Sequence, residues 1–465
     1  MTRAHSGSQT RPPLAPPGDA ARLSDLPPEE RGRVRRTMRL SVIEGSLTQV
    51  FLNWTSGSVL IGFMLHLGAS PAEIALVGSV PLLAQVASPG VAYLAAALGR
   101  RKALTVAVAL ASRLTWLAAA SLPALPVPDA WRPSLMIVVV LASSVFLAAN
   151  STLWAAWMGD VVPERERGRY FGLRAGIVGL VGTVANLAAG AFLDRVGAPF
   201  SFQAVLVVSV VVALAGVGIY LAQLDPPTER VRIRWRDVVV LPWRDPGYRR
   251  FLAFALYWQF VVLLAAPFVI PYFLDQLRLS FTQVAAWSSI AAVTALGTTV
   301  LWGRVADRAG NRGVLAIGTF LAGLLLPSCW ILAGITGRVS WIWASAVFDA
   351  VAWGAIGPAM FNLALRSAPR ANRVVFIAMY SLGTGVAGFV GGALSGPALV
   401  LLQRIGPSPF GGAWSAYHSL FALSGALRML AWVWLRRVPE VEAWRTRDLL
   451  RTMRTGWKGM GFPWR

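Results

Sequence analysis

The chain has 465 residues, 56% apolar and only 14% charged, with 43 Lys and Arg against 21 Asp and Glu. A water-soluble chain of this length would carry about 25% charged residues, so the composition excludes an ordinary soluble domain. One cysteine excludes an intramolecular disulfide, and three scattered histidines, His5, His66 and His418, suggest no metal site.

In chain order, residues 1–38 are rich in Pro and Arg and are expected to form a disordered basic cytoplasmic tail. No signal peptide is expected, because the first apolar run is too long for a cleaved signal core. Twelve apolar runs of about 20 residues follow, each able to cross about 30 Å of hydrocarbon as a helix. The first six lie near 40–66, 72–97, 103–122, 135–158, 171–193 and 200–223. The second six lie near 250–274, 281–302, 313–335, 340–364, 373–402 and 415–435. The expected division is an N-terminal six-helix bundle over 39–223, a central cytoplasmic loop over 224–247, a C-terminal six-helix bundle over 248–436 and a basic cytoplasmic tail over 437–465. Within the central loop, "ERVRIRWRDVVVLPW" alternates Arg232, Arg234 and Arg236 with Ile233 and Trp235. This period of two predicts an extended segment whose Arg meet lipid headgroups.

Basic residues fall on one side. Alternate loops hold only Arg132, Arg195, Arg278, Arg338 and Arg404, whereas the other loops and both terminal segments carry nearly all the rest. By the positive-inside bias both termini and the central loop are expected in the cytoplasm. The net charge of +22 then calls for anionic lipid at the cytoplasmic face as its partner, and not for nucleic acid.

The two sets of six runs repeat one another. Ser70, Pro71 and Glu73 form a Ser-x-x-Glu capping box before the second run, and Ser280 and Gln283 form a Ser-x-x-Gln box before the eighth. Gly99 followed by Arg100, Arg101 and Lys102 corresponds to Gly310 followed by Asn311 and Arg312, and Pro163-x-x-x-Arg167 corresponds to Pro369-x-x-x-Arg373. The expected fold class is therefore an all-α membrane protein, twelve transmembrane helices in two pseudo-symmetric six-helix bundles.

Polar residues inside the runs are the candidates for function. In the first run Ser41, Glu44, Thr48 and Thr55 form one stripe, and Gln49, Asn53 and Ser56 form another beside it. The capping-box alignment sets Gln49 against Gln259 in the seventh run, which suggests two amides facing a central cavity. Four ionisable residues lie within runs: Glu44, Arg113, Asp349 and Arg428. Each is costly in lipid and hence a functional candidate. Asp349 is the first choice for binding substrate or carrying a proton, with Glu44 and Arg113 as further proton-coupling candidates; the structural alternative is a buried ion pair with Arg. Asn150, Asn362 and Tyr257 complete the cavity candidates, with Trp258 and Tyr380 as further aromatics. Gly172 and Gly176, and Gly388, Gly392 and Gly396, have the spacing of close-packed membrane helices.

The chain has only two lysines, Lys102 and Lys458, neither in a nucleotide-binding loop, and shows no Ser-His-Asp or Cys-His arrangement. Neither an enzyme nor a cofactor is expected, and any transport is driven by gradients.

One polar knot remains, "GRVADRAGNRGVL" over 303–315. Gly303 and Asp307 share a helix face, Gly admits another backbone, and Asp307 can accept hydrogen bonds from a neighbouring helix start. Arg308 and Arg312 reach toward headgroups. Gly303-x-x-x-Asp307-Arg308-x-Gly310-x-Arg312-x-x-Leu315 resembles the loop signature of the major facilitator superfamily, and the resemblance covers about Arg39 to Arg437. In the first half the corresponding Gly and Asp are replaced by Ala92 and Ala96. The resemblance implies that Asp307 latches onto the start of the fifth helix, "RGRYFGLR", where Arg167, Arg169 and Arg174 are the candidate partners. It also implies a cavity lined by the first, fourth, seventh and tenth helices. The resulting expectation is a secondary active transporter moving a small solute by alternating access, with protons as the candidate coupling ion, working as a monomer in a bacterial inner membrane. The alternative is a non-transporting sensor, scaffold or lipid-handling protein of the same fold.

Overall fold

The computed structural model describes residues 22–87, 90, 100–226, 235–369, 373–405 and 414–440. The first half comprises α1 (Pro28–Trp54), α2 (Gly57–His66), α3 (Pro71–Ala84), α4 (Arg101–Ser121), α5 (Arg132–Val161), α6 (Arg167–Arg195) and α7 (Phe200–Leu221). A short α8 (Trp235–Arg244) leads into α9 (Pro246–Leu263) and α10 (Val269–Pro271), which runs on into a π-helical turn, Tyr272–Gln276. Then come α11 (Phe281–Ala309), α12 (Asn311–Thr336), α13 (Ser340–Ser367), α14 (Arg373–Arg404) and α15 (Ala416–Leu435).

Ten of the described helical segments are long and apolar enough to cross a membrane. The first expected run is divided between α1 and α2, and the second is described only as far as Ala87 and at Gly90. Both capping boxes form: Ser70 and Glu73 close the start of α3, and Ser280 and Gln283 close the start of α11.

The halves repeat each other in detail. Trp116 of α4 donates its indole N–H to Ser143 Oγ of α5 at 2.8 Å, and Trp330 of α12 donates to Ser345 Oγ of α13 at 3.2 Å. Gln49 of α1 packs on Gly182 of α6, where a Cβ would lie 2.7 Å from its Cγ; Gln259 of α9 packs in the same way on Gly388 of α14, at 3.1 Å. In both halves a glycine lets an amide side chain lie flat against the next backbone.

Three expectations are corrected. The tail does not run as disordered chain to residue 38, because α1 begins at Pro28. Leu23, Leu26 and Val34 are buried in a cluster with Trp157 and Tyr220, so the segment is recruited by apolar burial despite its Arg. The central loop is not extended throughout: Trp235–Arg244 is helical, the apolar "VVVLPW" continuing beyond the alternating Arg, while 227–234 lie outside the described residues. The first run is not one helix. It breaks at Thr55 to Gly57, where Gly57 has φ +56°; Thr55 Oγ1 donates to the Phe51 carbonyl, which also accepts the Thr55 N–H, and Ser56 Oγ donates to the Leu52 carbonyl.

The ends of α6, α11 and α12 that carry Arg167, Arg169, Arg304, Arg308 and Arg312 define a basic side, and the opposite ends a far side. Gly310 alone joins α11 to α12, with φ +86°. Gly310→Ala places a Cβ on a positive-φ extended backbone that is essentially restricted to Gly and is expected to destabilise by about 1–3 kcal/mol. Gly297→Ala, with open space around it, is expected to be neutral or slightly stabilising. Thermal unfolding of both variants in detergent checks the difference.

Candidate functional site

A cavity of about 390 Å³ lies where the two halves meet. Its polar wall combines Gln49, Asn53 and the break residues Ser56 to Ser58 with Thr183 and Asn186 of α6; Trp287, Ser288 and Ser289 of α11 and Ile270 of α10 complete it. None of its lining residues is charged. Gln49 Nε2 donates to Asn53 Oδ1 at 3.0 Å, and Asn53 Nδ2 donates to the Gly182 carbonyl at 2.6 Å. Asn186 Nδ2 donates to Ser288 Oγ at 2.8 Å, joining the halves across the cavity floor. The seventh span is broken as the first is: α9 ends at Leu263, and Pro267 and Pro271 interrupt the path to α10 and the π turn. Both breaks flank the cavity, through Ser56 to Ser58 and Ile270. A second cavity of about 390 Å³ between α12 and α15 is lined by apolar residues such as Phe320 and Trp432 with Thr319 alone as a polar group, and it lacks convergent polar groups.

Among the described residues, the hydrogen bonds that cross between the halves all lie toward the far side. Besides Asn186, Asp194 at the end of α6 accepts from the backbone N–H of Phe281 and Thr282 at the start of α11, both at 2.8 Å. α3 and α14 also meet toward their far ends, where a Cβ on Gly396 would lie 2.8 Å from the Pro71 carbonyl. On the basic side Gly168, Gly172, Gly176 and Gly303 face open space, and Asp307 is exposed. The cavity is closed on the far side, and α6 and α11 are apart on the basic side.

The model of the Major Facilitator Superfamily matches residues 45–392 and, in an overlapping match, 265–460. The chain belongs to the major facilitator superfamily. No curated protein sequence matches it. Solved structures resemble it at low identity. The nucleoside transporter NupG superposes with a TM-score of 0.67 at 14% identity, covering 88% of this chain and 99% of the other. The inward-open xylose transporter XylE from E. coli gives 0.64 at 15%, covering 90% and 99%. A bacterial homologue of the lysosomal transporter Spinster, inward-facing and occupied, gives 0.62 at 16%, covering 92% and 99%.

In this major facilitator protein the expected cavity residues divide. Gln49 and Asn53 line the cavity, but Gln259 does not join them, being held against Gly388 in its own half. Tyr257 turns away and donates to the Leu427 carbonyl of α15 at 2.7 Å. Asn362 donates to Asn311 Oδ1 at 3.3 Å at the basic end. Asn150 is buried beside Tyr220, its Oδ1 without a partner. The lining of this cavity comes from the first, fifth, seventh and eighth spans. Asn186, Trp287 and Ser288 were missed; the lone amide in the apolar fifth run was the available signal.

The buried charges form two clusters outside the cavity. Thr48 Oγ1 and Tyr220 Oη donate to Glu44 Oε1 at 2.7 and 2.8 Å, and Arg113 Nη2 donates to Thr48 Oγ1 at 3.2 Å. Arg174 approaches Glu44 Oε2 at 3.8 Å and lies over the Trp154 ring, and Gly45 gives it room. Glu44 thus ties α1, α4, α6 and α7 together. In the second half Arg428 donates to the carbonyls of Val262 at 3.2 Å and Ala322 at 3.1 Å, and couples electrostatically to the half-buried Asp349 beside Trp353.

The cytoplasmic-latch candidates are not assembled in this state. Arg167 donates to the Val162 and Gly159 carbonyls at the end of α5, and Arg174 is committed to Glu44; Arg169 and Arg308 are exposed. Arg312 is held by its own half, donating its backbone N–H to Glu440 Oε2 at 2.7 Å; Glu440 also accepts from the Asn311 N–H at 2.8 Å, a cap the sequence did not suggest. Ala92 and Ala96 lie outside the described residues.

Glu44→Gln removes the counter-charge of the buried Arg113 and the part-buried Arg174 and is expected to cost about 3–5 kcal/mol. Adding Arg113→Met is expected to recover part of that loss, since an unpaired buried charge goes with it. Unfolding of the two single variants and the double variant gives the coupling.

Proposed function

We propose that the protein carries a small, uncharged, hydrogen-bonding solute, bound between Gln49, Asn53, Asn186 and Ser288, and moves it by alternating access. The observation that carries this reading is the uncharged amide and hydroxyl lining of a cavity set at two broken helices, one from each half. Broken helices in matching positions of two repeats mark the binding site in many transporters. A charged solute would need a counter-charge, and the buried charges here are engaged elsewhere. The neutral lining, and the likeness to the nucleoside transporter NupG and the xylose transporter XylE, favour nucleosides and sugars as first compounds to try.

With the basic side placed in the cytoplasm by the charge bias, the state described is the inward-open one of a protein that works as a monomer in a bacterial inner membrane. We assign coupling to Asp349, which is half-buried and has one Arg beside it, in contrast to Glu44 with its four-helix network.

The test is thermal unfolding of the purified protein against neutral and charged solutes. A bound solute at a hundred times its Kd stabilises by about 2.7 kcal/mol. Stabilisation by neutral polyols or nucleosides, lost in Asn53→Ala and in Asn186→Ala, is expected; stabilisation by organic acids or amines alone contradicts the reading. With such a solute in liposomes, Asp349→Asn is expected to abolish accumulation driven by a pH gradient while leaving solute exchange in place.

A further inference from the structure

The closed far side contains a sequence match that the loop signature alone does not account for. Gly190-x-x-x-Asp194-Arg195-x-Gly197, at the end of α6, repeats Gly303-x-x-x-Asp307-Arg308-x-Gly310, at the end of α11. The two helices have the same length, 29 residues each, and run antiparallel side by side. The same segment therefore ends both helices, on opposite sides of the membrane, as expected of inverted repeats.

The far-side copy shows what the segment does. The Asp194 carboxylate spans the first two N–H groups of α11, donors that an isolated helix start leaves unpaired. The bonds are charge-assisted and lie where the helix dipole favours an anion. Gly190 admits the contact: a Cβ there would lie 2.8 Å from the Phe281 carbonyl and 3.0 Å from Thr282 Cα.

The basic-side copy has the same parts with the contact unmade. Asp307 is exposed and a Cβ on Gly303 would meet nothing within 4 Å. The N-cap residue of α6, Glu166, makes no side-chain cap, and no described side chain accepts from the backbone N–H groups of Gly168 and Arg169. The Asn186 to Ser288 bond lies between the two ends, two turns inside Asp194. Rigid helices crossing at such a point bring one pair of ends together as the other parts.

We propose that Asp194 is the far-side gating residue and that α6 and α11 form a two-ended latch, each closing its Gly-x-x-x-Asp-Arg segment on the start of the other helix, one end at a time. The proposal rests on alternating access but not on the identity of the solute. In the state described the Asp194 end is closed. When the Asp307 end closes, Asp307 takes the backbone N–H groups of Gly168 and Arg169, and the start of α6 moves into the space that Gly303 leaves on α11. The cap is backbone chemistry, so it does not require the Arg side chains of the fifth span.

The test measures distances between spin labels on Phe200→Cys and Arg278→Cys, in a Cys329→Ser background, without solute. Asp194→Ala is expected to raise the separated far-side population about tenfold, the effect of losing a charged helix cap. Asp307→Ala is expected to lower it. Gly190→Ala acts without touching a charge and is expected to reproduce Asp194→Ala, so the result does not depend on one variant folding. Asp245→Asn removes a carboxylate cap inside one half, at the start of α9 on the basic side, and is expected to leave the distribution unchanged. An unchanged distribution in both Asp194→Ala and Gly190→Ala, a shift in the same direction for Asp194→Ala and Asp307→Ala, or an equal shift from Asp245→Asn overturns the proposal. Failure of every solute in binding assays, with these shifts observed, overturns the solute assignment and leaves the latch standing.

Discussion

A backbone polar group in hydrocarbon must find a partner within the protein, and in this chain the unusual side chains are placed where helices end. Anions sit at helix starts: Asp194 on α11, Glu440 on α12 and Asp245 on α9. Cations sit at helix ends: Arg167 on the last carbonyls of α5, Lys102 on those beyond α7, and Arg428 on Val262 near the end of α9. The hydroxyls of Thr55 and Ser56 donate to carbonyls of the last turn before the first span breaks.

Because the charges are used in this way, the cavity is left with amides, hydroxyls and an indole. Most caps lie within one half and hold that half rigid. Asp194 is different, because its carboxylate and its two donors belong to different halves. Along α6 and α11 the contact between rigid bodies rests on a few hydrogen bonds and glycine-cleared approaches at one end. An interface of that size can be exchanged for an equivalent one at the other end without unfolding either half, which is the physical requirement for two states of similar energy.

Much of this was legible in the residues. Span lengths, the two capping boxes and the Gly303 to Leu315 signature led to the fold, because each depends on local spacing that lipid and helix geometry enforce. Gln49 and Asn53 were legible as a stripe. For Tyr257, Gln259 and Asn362 periodicity shows which helix face each residue occupies but not which neighbour that face meets. The break at Gly57 and the prolines 267 and 271 were visible as residues, yet an apolar run reads as continuous until packing shows that the freed carbonyls have partners. Asp194 went unread because its value lies in donors 87 and 88 residues away.

The most direct measurement is the distance between spin labels on Arg169→Cys and Arg304→Cys at the basic ends of α6 and α11, in the Cys329→Ser background. Two populations, one separated as described here and one close, whose proportions move opposite to those of the far-side ends, are what alternation at this helix pair predicts. A single separated population, unchanged by any solute and by loss of Asp194, would contradict it.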